Sequence, residues 1–114
     1  MIHIIRDHAT TAEINEMLLS LGEYIKLAVD VDQGILAGGG AMHADCESEL
    51  LDNGSTQEDI WGADWYPASQ EVAYESLINI RPLQGNRSLE VKDPVLRERI
   101  RNIVTKLLEQ PQHA

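Results

Sequence analysis

Cysteine, aromatic residues and long apolar runs are scarce in this chain. Its 114 residues include one cysteine, no phenylalanine, two tryptophans and three tyrosines. One cysteine forms no internal disulfide, and together with four histidines it cannot build a multi-cysteine zinc site. No apolar run approaches the roughly 20 residues that span a bilayer, and the N-terminus MIHIIRDHA lacks the pattern of an export signal. We therefore expect a cytoplasmic protein without disulfides that does not associate with membranes.

Basic residues are also few, and their distribution is uneven. Nine lysines and arginines stand against nineteen aspartates and glutamates, which gives a net charge of −10. Residues 1–80 carry fifteen acids and two bases, whereas residues 81–114 carry seven bases and four acids. A protein that binds nucleic acid needs a basic surface to contact phosphates, so the overall charge argues against a nucleic-acid partner.

The remaining composition, with 43% hydrophobic and 25% charged residues, is typical of a globular domain. The capping-box pair Thr10 and Glu13 and the dipeptide Asp93-Pro94 are typical helix starts, and they predict helices over about 11–21 and 93–109. Alternating or β-branched segments predict strands at 2–5, 24–31, 35–37, 43–51, 60–61, 71–81 and 86–91. The turn signal at 32–34 predicts that the strands 24–31 and 35–37 form a hairpin. Residues 43–51 fit a capped helix turn as well as a strand, and the strand is favoured because a reversal signal follows at 52–55.

These elements predict a single α+β domain over residues 1–114. Most strands follow one another without an intervening helix, so a sheet of about five to six strands is expected to be mostly antiparallel. We expect the two helices to pack on one face of that sheet. The polar residues 110–114 are expected to form a frayed tail.

The stretch GGGAMHADCE, residues 38–47, places three glycines before a histidine and two acids. It lacks the Lys-Ser/Thr pair of a phosphate-binding loop, so the glycines predict a turn or bulge where side chains would clash. On a strand, the side chains of His43, Asp45, Glu47 and Glu49 would project from one face. Such a row could bind a divalent metal ion or provide a catalytic general acid and base. The alternative is a charged edge strand that prevents aggregation.

A second polar cluster surrounds a loop that contains proline and glycine. Its candidate ligand-binding residues are Asn79, Arg81, Asn86 and Arg87. Two arginines could bind the carboxylate or phosphate of a small anionic ligand. Alternatively, the arginines pair with acids of the chain itself, such as those at 45–49, and the asparagines hydrogen-bond to the backbone of the turn.

Three further side chains have both a core and a functional interpretation. Trp61 and Trp65 could anchor a protein–protein interface, or they could fill one end of a small core that contains no phenylalanine. Cys46 lies on the face of the predicted strand opposite to the acids. It is expected to be a small core residue rather than a nucleophile.

Two blocks, GGGAMHADCESELLDNGSTQEDIWG and SLINIRPLQGNRSLEVKDPVLRERI, resemble the signature blocks of a family of short bacterial and archaeal proteins. That family is catalogued only as a domain of unknown function. The likeness covers nearly the whole chain, including the YIKLAVDV segment that precedes the first block. The resemblance implies one compact domain in which both blocks form a single surface, and it implies no reaction.

Two functions of different classes follow from these patterns. The first is a site for a small anionic ligand or a divalent metal ion, formed by the acids after the glycines and by the arginine loop. If that site is catalytic, hydrolysis is the reaction class to test. The second is a non-catalytic module for protein–protein interaction or for homodimer formation. Whether the chain is an enzyme stays open.

Overall fold

Five strands and three α-helices make up residues 1–111, the part of the chain that the computed structural model describes. The strands are β1 (His3–Ile5), β2 (Ile25–Asp30), β3 (Ile35–Gly38), β4 (Ile60–Tyr66) and β5 (Glu71–Ala73). The helices are α1 (Thr11–Met17), α2 (His43–Asp52) and α3 (Pro94–Leu108). Three short 3-10 helices occupy Gln57–Asp59, Leu77–Asn79 and Pro82–Gln84. The chain is therefore an α+β protein, as its sequence predicts.

The five strands form one antiparallel sheet in the order β1-β3-β2-β4-β5. β2 and β3 form the hairpin that the alternating pattern predicts. β2 also pairs with β4 over its whole length, from Ile25 opposite Trp65 to Asp30 opposite Ile60. These two central strands are almost entirely buried, so they form the centre of the domain.

The sheet is covered on both faces, and the fold therefore has three layers. On the first face, Leu27 and the two tryptophans pack against buried residues of α1 and α3. On the second face, Ala28 and Ile60 pack against Cys46 and Leu50 of α2. The two predicted helices, α1 and α3, therefore share one face of the sheet as expected, and the additional helix α2 covers the other face.

α2 occupies residues that the sequence pattern predicts as a strand, and this is a correction. Cys46 and Leu50 fit an alternating strand, but they are also four residues apart, which is the spacing of one helical face. Both side chains are fully buried against the sheet. Burial of a leucine side chain contributes about 1.5–3 kcal/mol, and a helix achieves this burial while Asp45, Glu49 and Asp52 face solvent.

Two other predicted strands are longer than the strands observed. The strand predicted over 71–81 ends at Ala73 and continues as irregular backbone with a 3-10 helix. The strand predicted over 86–91 is reduced to isolated antiparallel bridges, which join Glu75 to Glu90 and Arg81 to Asn86. Side-chain hydrogen bonds, described below, replace the missing ladder.

The two predicted helices begin where their capping residues indicate. Thr10 Oγ1 accepts a hydrogen bond from the Glu13 amide at 3.1 Å, and Glu13 Oε1 accepts one from the Thr10 amide at 2.9 Å. Asp93 Oδ1 accepts from the Val95 amide at 2.9 Å at the start of α3. α1 ends at Met17, earlier than predicted. Over residues 1–111, each helix is too short or too polar to cross a membrane.

The start of the predicted tail is attached to the domain. The backbone amide of Gln110 donates to Gln70 Oε1 at 3.1 Å, and Gln70 Nε2 donates to the Gln110 carbonyl at 2.9 Å. The rest of the predicted frayed segment, residues 112–114, lies outside the described residues.

The glycine run forms the tight passage from β3 to α2. A Cβ atom on Gly38 would lie 2.8 Å from Leu27 Cδ2, which is too close for a side chain. Gly39 has a φ of +104°, and a Cβ atom there would lie 2.9 Å from the Cα of Met17 in α1. The run is therefore a requirement of backbone geometry, as the sequence pattern indicates.

We expect Gly39→Ala to destabilise the protein more than Gly54→Ala. Gly54 has a similar φ of +100° but no atom within 4 Å of an added Cβ, so it is a matched control for the backbone conformation alone. The left-handed conformation should cost about 1–2 kcal/mol at either position, and crowding should add about 1–3 kcal/mol at Gly39. Urea unfolding measures both, and equal losses would contradict the steric argument.

Candidate functional site

α2 distributes its acidic residues over two faces. His43 and Glu47 lie four residues apart and are half-buried, whereas Asp45 and Glu49 share an exposed face. The predicted metal or catalytic set of His43, Asp45 and Glu47 is therefore not brought together. Within the described part of the chain, no group of three or more His, Cys, Asp or Glu side chains could hold a metal ion.

His43 is bound through one ring nitrogen to β4. Its Nε2 lies 2.8 Å from Asp64 Oδ1 and 3.1 Å from the carbonyl oxygen of Ala63. A carbonyl oxygen only accepts hydrogen bonds, so Nε2 carries a proton and donates to both oxygens. In the neutral ring, Nδ1 then holds the lone pair. The side chains of His43 and Asp64 are only 11% and 13% exposed, so the pair is largely shielded from water.

The guanidinium group of Arg81 donates hydrogen bonds to other groups of the protein. Nε donates to the Ile78 carbonyl at 2.8 Å, Nη1 donates to the Gln57 carbonyl at 2.9 Å, and Nη2 donates to the Ile60 carbonyl at 2.8 Å. Nη2 also donates to Glu47 Oε2 at 3.2 Å, and both side chains of this ion pair are almost 90% buried. Of the two interpretations of the arginine loop, pairing with the chain's own acids is the one observed for Arg81.

The two predicted asparagines also bond within the protein. Asn79 is fully buried, its Oδ1 accepts from the Gly62 amide at 2.7 Å, and its Nδ2 donates to the Gly62 carbonyl at 3.0 Å. Asn86 Nδ2 donates to the Asn79 carbonyl at 2.7 Å, and its Oδ1 accepts from the Lys92 amide at 3.0 Å. Of the four candidate ligand-binding residues, only Arg87 is exposed.

The aromatic and thiol candidates belong to the core. Trp61 and Trp65 are 4% and 1% exposed, so the core interpretation applies and neither indole is available to anchor an interface. Cys46 is buried, and its Sγ donates to the Lys26 carbonyl at 3.4 Å. Burial raises the pKa of the Cys46 thiol to about 11, so the reactive thiolate is scarce at neutral pH.

A cavity of about 330 Å³ lies beside His43, at the N-terminal end of α2. Its walls are mostly apolar, and three of its apolar side chains, Met42, Leu77 and Leu89, are 42–72% exposed. The cavity is lined by Lys26, Met42, His43, Ala44, Glu75, Ser76, Leu77, Ile78 and Leu89. It is therefore an apolar recess with a few polar groups, which is the usual character of a ligand site.

Lys26 is the cationic side chain at this cavity. It is half-buried and lies opposite Asp64 in the register of β2 and β4. The Asp64 carboxylate is hydrogen-bonded to His43 instead, and Lys26 forms no ion pair within residues 1–111. The ammonium group therefore remains available to an anion.

Sequence reasoning missed Lys26 and Asp64. Each is a polar residue within an alternating strand, and that signal is visible in YIKLAVDV and IWGADWY. Their relation to His43 depends on the pairing of β2 with β4, which the pattern of a single strand does not specify. The histidine was found from sequence, but its partner was not.

A family model described as "Protein of unknown function (DUF5674)" matches residues 3–107. The match extends from β1 into the last turn of α3 and includes every residue that lines the cavity. Neither a curated protein nor a solved structure matches the chain.

We expect Arg81→Ala to lower the free energy of unfolding by about 3–5 kcal/mol, because it leaves the Glu47 carboxylate buried without its partner. Arg87→Ala is the control, since Arg87 lies in the same loop but is exposed. That variant should change stability by no more than about 0.5 kcal/mol. Chemical denaturation of the three proteins checks both values, and a loss below about 1 kcal/mol for Arg81→Ala would assign the pair to the weak, solvated class.

Proposed function

We propose that this chain, which belongs to the family described as "Protein of unknown function (DUF5674)", binds a small carboxylate with an apolar body in the cavity beside His43. The observation that carries the proposal is an unpaired, half-buried lysine at an apolar cavity of about 330 Å³. Ligand cavities in proteins commonly have volumes of about 300–1,000 Å³, mostly apolar walls and a few polar groups.

The charges around the cavity favour an anionic group on the ligand. Lys26 is half-buried, so water screens its charge less than it screens the charge of the exposed Glu75. Asp64 is occupied by its hydrogen bond to His43, which reduces competition for the ammonium. The N-terminal end of α2 adds a partial positive charge near the same wall of the cavity.

The apolar walls favour a hydrocarbon body. Met42, Leu77 and Leu89 expose apolar surface at the cavity, and a ligand that covers them removes this surface from water. Each buried methylene group contributes about 0.8 kcal/mol. Affinity should therefore rise with the length of an aliphatic chain until the cavity is filled.

The test is a titration with three probes of equal length, hexanoate, hexanol and hexylamine. Binding is monitored through the NMR signals of the backbone amides. Hexanoate should bind most tightly and shift the signals of Met42, Ala44 and Ser76. Lys26→Met keeps the apolar stem of the side chain and removes the charge, so it should weaken hexanoate by at least about tenfold and leave hexanol unchanged. Preference for hexylamine, or shifts centred elsewhere, would refute the proposal.

A matched pair of leucines tests the apolar wall. Leu77 is 72% exposed at the cavity, and Leu19 is 75% exposed in the turn after α1, on the other face of the sheet. Leu77→Asn should weaken binding of hexanoate and hexanol alike by about tenfold, because both probes lose the same apolar contact. Leu19→Asn should have no effect on either probe.

A second candidate function is self-association through the loop that follows β5. Leu83 is fully exposed and Ile80 is 43% exposed, which is unusual for two large apolar side chains three residues apart. Because the tryptophans are buried, these side chains would be the anchors of a homodimer. Size-exclusion chromatography with light scattering should show a dimer that Leu83→Asp dissociates, and a monomer at millimolar concentration would exclude this function.

A further inference from the structure

A second recess lies on the opposite side of the segment that lines the cavity. Tyr74 packs against the core on the face of the sheet that α1 and α3 cover, whereas the next residue, Glu75, lines the cavity beside His43. The recess has a volume of about 320 Å³ and is lined by Tyr74, Pro94, Arg97, Glu98 and Arg101. Arg97 and Arg101 are four residues apart in α3, so their side chains extend from one face of the helix.

Arg97 has hydrogen-bonding capacity that the protein does not use. Its Nε is buried and makes no hydrogen bond to the described residues. Its guanidinium carbon lies 4.5 Å from the centre of the Tyr74 ring, a cation–π contact that holds the group at the recess. Among residues 1–111, no carboxylate pairs with Arg97, although acids outnumber bases by nineteen to nine in the whole chain.

The acids near Arg97 are engaged elsewhere. Glu98 lies 3.6 Å from Arg101 Nη2, and the two side chains are 62% and 58% exposed, so this ion pair is weak and easily exchanged. Glu90 hydrogen-bonds to Lys92 Nζ at 3.0 Å. Arg97 and Arg101 are therefore two guanidinium groups at one recess with little internal compensation.

Tyr74 supplies a third hydrogen-bond donor. Burial raises the pKa of its phenol, and the nearby charges of Arg101 and Arg97 oppose this shift only in part. The hydroxyl is therefore protonated at neutral pH and can donate to an oxygen atom of a ligand.

We infer that this recess binds the phosphate group of a small phosphate monoester, held by Arg97 and Arg101 with the Tyr74 hydroxyl as an additional donor. Planar guanidinium groups form paired hydrogen bonds with phosphate oxygens. A phosphate monoester carries a charge of about −1.5 to −2 at neutral pH. Two arginines therefore match the charge of a phosphate monoester better than they match the single charge of a carboxylate. The site is separate from the cavity of the proposed function and stands or fails independently of it.

The experiment titrates the full chain with phenyl phosphate and with benzoate at constant ionic strength. NMR observes the backbone amides and the Nε–Hε groups of the arginines. Phenyl phosphate should bind with a Kd of about 1 mM or lower and shift the Nε–Hε signals of Arg97 and Arg101. Arg97→Met and Arg101→Met should each weaken binding by at least about tenfold, because each removes charge-assisted hydrogen bonds. Arg87→Met, at an exposed arginine outside the recess, should retain the wild-type affinity.

Three results would overturn the inference. If Arg97→Met and Arg101→Met both bind phenyl phosphate with wild-type affinity, the recess is not the binding site. If Arg87→Met loses as much affinity as they do, the binding is general electrostatic attraction. If benzoate binds as tightly as phenyl phosphate, the site does not select phosphate. If Arg97→Met does not fold, Arg101→Met decides, since the Arg101 side chain is 58% exposed and its loss leaves the core intact.

Discussion

The outer edge of β4 extends beyond the strand that pairs with it, and its remaining backbone groups must be hydrogen-bonded because they are buried. β5 pairs with residues 64–66 only. Next along the edge, the Asn79 side chain accepts a hydrogen bond from the amide of Gly62 and donates one to its carbonyl. One step further, the guanidinium of Arg81 donates to the carbonyl of Ile60. The side chains of Asn79 and Arg81 thus take the place of a neighbouring strand. The rest of the structure around the cavity depends on these hydrogen bonds.

The edge arrangement determines where the cavity lies. A Cβ atom on Gly62 would be 2.5 Å from the Cβ of Ser76, so only glycine lets the segment after β5 lie this close to β4. That segment forms one wall of the cavity, and α2 forms the other. Arg81 links the two walls, because the group that completes the sheet edge also donates to Glu47 of α2. Loss of Arg81 should therefore disturb the cavity as well as the stability of the fold.

Local patterns predicted the parts of this fold that depend on neighbours in sequence. The capping box at Thr10, the proline start of α3 and the β2–β3 hairpin each rest on such short-range patterns. The acid-rich segment and the arginine loop were also expected to lie together, and the Arg81–Glu47 pair joins them. For residues 43–52 the strand was favoured over the helix, because Cys46 and Leu50 satisfy the periodicity of a strand and of a helix alike. Nor could a local pattern show that Asn79 completes a sheet edge, since that role depends on the end of β5.

Because the guanidinium of Arg81 is hydrogen-bonded within the protein, an anionic ligand must bind to other cationic side chains. In a chain with about two acids for each base, most cationic groups are expected to find an acid partner, as Arg81 does with Glu47. Lys26 and Arg97 are half-buried, yet neither forms an ion pair with the residues described. A buried charge without a partner is unfavourable, and an anionic ligand relieves that cost at the moment it binds. Arg81, which the sequence pattern indicates as a ligand-binding residue, is therefore structural. The groups suited to an anion are Lys26 and Arg97, which are not among the candidates predicted from the sequence.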